Sequence, residues 1–337
     1  MTDMIGLTST PKMSEVAGVD GQCQPKSYIF VTHEYPDTDA WVCLWILRTF
    51  VAKDFDKVEI VFVRAGEVLP PEGESDGTSI IHADTGKGEY DQHGKPYTRT
   101  SSAAILAEKL GIAEEPGVKE FVELATATDN VERVSPTSIH YFFKGLPYQK
   151  RGEDKQIDWT AIQERVFEVL DTLDSWRSRC EENKRQFKEG GGKLLRLANG
   201  LTLGLLAFKP HLRQAAYDSG ADVVLWTQAK GKKGFWVGVQ VNSDTRLSLR
   251  IVAAVIRAAE LRARGFDVPP IDELTYVGQK EPISGWFLHD SERFIACGSR
   301  SHPLEDHEFT KLSIDHLVEI LTVQLGCMQG VKPFLGK

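Results

Sequence analysis

The sequence predicts an α/β fold built on a parallel sheet, joined by one long helix to a smaller α+β domain, and three observations predict it. Short β-branched or aromatic runs, "SYIFV", "KVEIVFVRA" and "GTSIIHAD", recur early in the chain, with helix-forming sequence between the first two. A charged segment without Gly or Pro, about residues 161 to 189, stands in the middle. After it, apolar runs come in pairs around Asn-Gly and Lys-Gly turns, the pattern of hairpins.

Taken in order, residues 1–26 are polar, contain Gly, Ser, Thr and Pro, and lack apolar periodicity, so they are expected to form a mobile tail. From Ser27 the pattern changes. Between the first two strand-like runs lies "DAWVCLWILRTFVA", with a helical apolar stripe through Ala40, Leu44, Leu47 and Val51. Strand, helix, strand in that order implies parallel pairing through a right-handed crossover. Helices are expected at "SSAAILAEKLG" and "VKEFVELATATDN", completing a first domain over residues 27–150. Residues 151–192 contain the connecting helix, which "GGGK" ends. Residues 193–337 read as α+β: "KLLRLANGLTLGLLAF" and "ADVVLWTQAKGKKGFWVGVQV" as strand pairs, "LSLRIVAAVIRAAELRARG" as a helix, "GWFLHDSERFIACGSR" as a further hairpin and "SIDHLVEILTVQLG" as the last helix.

Composition bounds the function. A chain of 337 residues, 41% hydrophobic and 26% charged, is longer than one domain usually needs. No run approaches the ~18 apolar residues of a membrane span, and the N-terminus lacks the basic start and apolar core of a signal peptide, so a soluble, cytoplasmic protein with no membrane partner is expected. Five cysteines, Cys23, Cys43, Cys180, Cys297 and Cys327, form no C-x-x-C pair and read as reduced thiols. A net charge of −8 argues against a broad electrostatic surface for nucleic acid.

Ligand-type side chains concentrate in the first domain. "VTHEYPDTDAW" places His33, Asp37 and Asp39 in one loop directly after a strand, stiffened by Pro36. "IIHADTGKGEYDQHGK" adds Asp84 at a strand end, then Asp91 and His93, and "ATATDN" puts Asp129 at a helix end. Singly, Asp129 reads as a helix-terminal polar residue, Asp91 as a turn former and His93 as a surface loop residue. Together they make five carboxylates and two histidines in the half of the chain whose strand ends form a crevice. Mixed carboxylate and imidazole donors suit manganese or a related cation better than calcium.

The order "HEYPDTD", Asp84, "DQH", Asp129 resembles the four-motif series of the DHH phosphoesterase superfamily. That superfamily includes single-strand exonucleases, oligonucleotide and cyclic-dinucleotide phosphodiesterases and manganese pyrophosphatases. The closeness of the second and third motifs in "DTGKGEYDQHG", followed by "TRTSSAAILAEKLG" and "ATDN", is most similar to the MYG1 branch of metal-dependent hydrolases or exonucleases. The resemblance implies a DHH-like metal-binding catalytic domain followed by a substrate-binding domain. It implies His33 and Asp37 as ligands of one metal, Asp39 of a second, Asp84 as a bridge and Asp129 as a further ligand. Where the family carries a ligating histidine, this chain has Gln92, so the second site is expected to bind its ion more weakly. His93 matches a family histidine that contacts substrate phosphate, and Asp84 and His93 are the expected catalytic pair.

Two Mn2+ ions are the expected cofactors, with Mg2+ or Co2+ as substitutes, because two cations about 3.5–4 Å apart activate water and neutralise phosphoryl charge. The expected activity is hydrolysis of a phosphodiester in an interdomain cleft, on a phosphorylated small molecule or short oligonucleotide. The alternative is a phosphate- or nucleotide-binding protein in which Gln92 has replaced a ligand. Ser299 and Arg300 in "CGSRSH" are candidate phosphate contacts, against a plain hairpin exit. Lys230, Lys232 and Lys233 read as a charged hairpin tip.

Overall fold

The computed structural model describes residues 27–52, 58–68, 70–75, 77–93, 98–149, 156–231, 234–301 and 303–328. The expected tail, Lys232 and Lys233 lie outside the described residues. The chain divides into two compact units, Met1–Ser175 and Trp176–Lys337.

In the first unit, β1 (Ser27–His33), α1 (Thr38–Ile46), β2 (Val58–Val63), β3 (Gly73–Ser75) and β4 (Thr78–His82) form a sheet in the order β2-β1-β4-β3. The strands β1, β2 and β4 are parallel, as expected, with Phe30 opposite both Ile60 and Ile81. β3 pairs antiparallel with β4, an edge strand of three residues that the sequence reading does not assign. From β1 the chain builds first to one side, with β2, and then to the other, with β4. That reversal opens a crevice beyond the carboxyl ends of β1 and β4, where open α/β sheets bind ligands.

The helix after β1 departs from the amphipathic stripe expected of it. Every residue from Thr38 to Ile46 is buried, because α1 packs against α2 (Ser102–Lys109) and α3 (Pro116–Asp129) and carries apolar residues on all sides. Trp45 meets Phe121 edge to face at 5.2 Å, and its indole N–H donates to Asp171 at 2.8 Å. A π-helical turn, Leu47–Val51, continues the helix. Helix α4 (Ile139–Gln149) is also absent from the sequence reading, since Gly145 and Pro147 interrupt the helical pattern. It buries His140, Phe143 and Leu146. Helix α5 (Trp159–Gln186) is the long charged segment, and its buried residues, Ile162, Val166, Phe167 and Leu170, all lie in its first half.

The second unit holds β5 (Lys193–Arg196), β6 (Thr202–Leu206), α6 (Arg213–Asp218), β7 (Val223–Ala229), β8 (Phe235–Val241), α7 (Arg250–Ala263), β9 (Trp286–Leu288), β10 (Phe294–Cys297) and α8 (Ile314–Gly326). Its sheet runs β5-β6-β7-β8-β10-β9. The Asn199-Gly200 turn closes β5 on β6, with Gly200 at φ 89. β6 and β7 are parallel, joined through α6, and the other pairs are antiparallel. The mixed α/β architecture is therefore that expected. Among the described residues, no helix is long and apolar enough to cross a membrane.

Candidate metal centre

His33 ends β1, and its ring is held from both sides. Nδ1 lies 2.9 Å from the Glu34 carbonyl, which assigns the ring proton there and turns Nε2 toward Asp84 Oδ2, 3.3 Å away. The chain then turns through Tyr35, at φ 58, to Asp37, the N-cap of α1. Asp37 Oδ1 accepts from the amides of Asp39 and Ala40 at 2.9 and 3.1 Å.

Asp84 follows β4 by two residues and is 4% exposed. It sits at φ 55, in the left-handed region that aspartate tolerates better than most residues. Gly86 lets the loop fold back on the strand: at φ 75, a Cβ there would stand 2.0 Å from His82 Nδ1. Asp91 then ties the loop together. Its Oδ2 accepts from the Lys87 amide at 2.7 Å, and its Oδ1 accepts from the His93 amide at 2.8 Å. The same Oδ1 lies 2.8 Å from His93 Nδ1, so Asp91 also orients the His93 ring.

Two groups of donors result. Ligand atoms of His33, Asp37 and Asp84 lie within 4.8 Å of one another, and so do those of Asp84, Asp91 and His93. Asp84 belongs to both. Gln92 and Asp129 join them from the side: the Gln92 amide nitrogen lies 3.2 Å from Asp129 Oδ1 and 3.4 Å from Asp84 Oδ1. Asp39 is buried among these groups but faces elsewhere. Its two oxygens accept from the backbone amides of Ser102 and Ala103, at 2.8 and 2.9 Å, and so cap α2. Ser299 and Arg300 follow β10 in the second unit, where Ser299 Oγ lies 3.1 Å from Ser301 Oγ.

Ser102 is the functional residue the sequence reading missed. Its hydroxyl lies within reach of two acceptors, Asp84 Oδ1 at 3.2 Å and the Gln92 side-chain oxygen, and its one proton can serve either. The available signal was the pair Ser101-Ser102 before an apolar run, since Ser101 is the N-cap and its Oγ accepts from the Ala104 amide. At the start of α1 the buried Thr38 hydroxyl lies 2.7 Å from Nδ1 of the buried His140 of α4.

The electrostatics are those of crowded carboxylates. Burial raises the pKa of Asp84, the His33 hydrogen bond opposes it, and Asp37 adds repulsion; the net shift is upward. Asp39 is pushed well up by burial and by the charge of Asp84, and Asp129 is raised by burial with the charges of Asp84 and Asp37. Burial alone would lower His33, but its bonds to Asp84 and the Glu34 carbonyl, with the charges of Asp84 and Asp37, outweigh it and raise the imidazole to about 9. His93 shifts upward likewise, burial being outweighed by its bond to Asp91 and the charge of Asp84. Each of these shifts favours the protonated form when no ion is bound. Such a set of oxygen and imidazole donors, ordered by a backbone carbonyl and amides, is chemically suited to a divalent cation that would displace those protons.

No family model matches the chain, and no curated protein does. Two solved structures are similar at a low level. One is a DHH-domain protein described as a member of a family of ribosomal proteins, with 11% identity, a TM-score of 0.29, and 90% of this chain and 87% of that chain covered. The other is an exopolyphosphatase-related protein from Bacteroides fragilis, with 12% identity, a TM-score of 0.23, and 90% and 92% covered. At such TM-scores the reading of the centre rests on its own geometry.

Proposed function

We propose that this chain is a divalent-metal-dependent phosphoesterase of DHH type, hydrolysing a phosphodiester in an oligonucleotide, nucleotide or related compound. The observation that carries the reading is the place of Asp84 just beyond a parallel strand, where it shares a donor group with His33 and Asp37 and lies 3.4 Å from Gln92, itself bonded to Asp129. His33 Nε2, Asp37 and Asp84 would hold one manganese ion. Asp84 would also serve a second, with Asp129 and the Gln92 side chain as its weaker partners. When bound, such cations lower the pKa of water and neutralise charge on a phosphoryl group.

The chain's own residues supply orientation. The Glu34 carbonyl fixes the His33 tautomer, and Ser102 holds Asp84 Oδ1 in place. His93 is exposed, and Asp91 holds its Nδ1 side and shifts it toward the protonated form, so its other ring nitrogen is placed to donate to a phosphate oxygen. A second reading, a phosphate-binding protein without efficient catalysis, draws on Gln92, whose amide nitrogen occupies the space between Asp84 and Asp129.

The deciding experiment counts manganese in the purified protein and follows bis(p-nitrophenyl) phosphate and a short oligonucleotide with added Mn2+, for wild type and Asp84→Asn. Manganese-dependent hydrolysis lost in the variant is the expected result. Full metal occupancy with no turnover of either substrate would favour the binding protein.

A further inference from the structure

The second unit contains an open polar cavity of about 560 Å³, lined by Arg213, Gln240, Ser243, His289, Ser291 and Arg293 among others, with no carboxylate in its lining among the described residues. In a chain of net charge −8, two guanidiniums lining one cavity that no acid lines call for an anion. The nearest acid along the chain from Arg293 is Glu292, and it is engaged elsewhere, by Arg250 and by the Ser248 hydroxyl.

Each arginine is half engaged in holding its own position. Arg213, the first residue of α6, gives Nε to the Pro210 carbonyl at 3.1 Å and Nη1 to Gln240 Oε1 at 3.2 Å, and its guanidinium lies 5.2 Å from the Trp226 ring centre. Arg293 gives Nη2 to the carbonyls of Asn242 and Thr245. Nη2 of Arg213 and Nε and Nη1 of Arg293 make no hydrogen bond among the described residues. Arg293, whose Nη2 gives both its hydrogens away, keeps no intact two-nitrogen edge to clamp a planar carboxylate. His289 adds a donor: its Nδ1 accepts from the Ser291 amide at 3.1 Å, so the ring proton sits on Nε2. Single donors arriving from several elements match an oxyanion with three or four oxygens. The half-buried Tyr217, whose hydroxyl donates to the Gln240 carbonyl, feels both guanidiniums: burial pushes its pKa up to about 12, while Arg213 and Arg293 pull it down.

We infer that this cavity is a phosphate-binding site, taking inorganic phosphate or a phosphomonoester group between Arg213 and Arg293. Its lining stops at the start of β10, whereas Ser299 and Arg300 follow that strand, and none of its residues belongs to the carboxylate cluster. It needs no metal.

The test is calorimetry on the full chain in a chelator, titrating inorganic phosphate against malonate at matched ionic strength. Phosphate should bind at one site and bind more tightly than malonate. Arg213→Gln should weaken binding about 10-fold or more, the effect of losing a charge-assisted bond. His289→Ala, a change in an exposed loop, should weaken it less while leaving the melting temperature nearly unchanged, which keeps the test open if the arginine variant does not fold. Asp84→Asn should bind phosphate like wild type, separating this site from the proposed phosphoesterase centre. Equal affinity for malonate, phosphate binding indifferent to Arg213→Gln and His289→Ala, or binding that requires manganese would each overturn the inference.

Discussion

The Gln92 side-chain nitrogen donates to Asp129 at 3.2 Å, and so the one residue that breaks the motif series faces the carboxylate cluster. An amide there can neutralise part of the repulsion when no ion is present, but it is a poorer ligand than imidazole. Gln92→His is therefore expected to tighten the weaker of two manganese sites by about 10–100-fold and to raise hydrolysis at low metal. A manganese titration of both proteins by calorimetry checks this. Equal affinities and rates would mean that Gln92 turns away once ions are bound.

Asp84→Asn is expected to abolish manganese-dependent hydrolysis and to leave the fold intact. Asparagine also tolerates φ 55, and losing one of several crowded carboxylates relieves repulsion in the metal-free protein. Asp84→Ala lacks that tolerance and should melt lower than Asp84→Asn in chelator. Retained turnover in Asp84→Asn at saturating manganese would remove Asp84 from its shared role.

Asp39 is expected to behave as a helix cap first. Asp39→Ala strips acceptors from the buried Ser102 and Ala103 amides, and should cost about 2 kcal/mol or more of stability in chelator. Asp37→Ala, whose loss falls on the first amides of α1, should instead weaken metal binding in proportion to its loss of stability or beyond it. If denaturant unfolding finds Asp39→Ala as stable as wild type without metal, the capping role is wrong.

The pH dependence of the metal-free protein has a definite sign. His33 is raised from 6.5 to about 9, so its protonation stabilises the folded state fully below about pH 6.5 and that contribution is lost as pH rises through 9. The raised carboxyls of Asp84 and Asp129 act in the same direction at lower pH. Manganese needs neutral His33, so saturating metal should cancel this loss and leave stability nearly flat between pH 6.5 and 9. Melting temperatures with chelator and with manganese test both halves, and His33→Gln should flatten the metal-free curve.

The parallel strands were legible because "SYIFV" and "GTSIIHAD" are dense in β-branched and aromatic residues, and both run straight into their ligand-type residues. The hairpins were legible from their turns. What the pattern could not show was tertiary. The apolar stripe on α1 hid that its other faces, Trp41, Val42 and Trp45 among them, are covered too. Asp39 looks like its neighbour Asp37 in sequence, yet Asp37 caps its own helix and Asp39 caps one that starts at Ser102. That distinction depends on which amides happen to face each carboxylate. Ser102 was invisible for the same reason.

The bonds that join Asp39 to Ser102, Asp84 to His33 and Gln92 to Asp129 each link segments far apart in the chain. Loops of that length also close when β1 pairs with β4, so the centre is expected to form together with the sheet and not before it. Manganese added to the unfolded chain has no prearranged partner to nucleate. It should slow unfolding of the finished protein while leaving the rate of folding nearly unchanged.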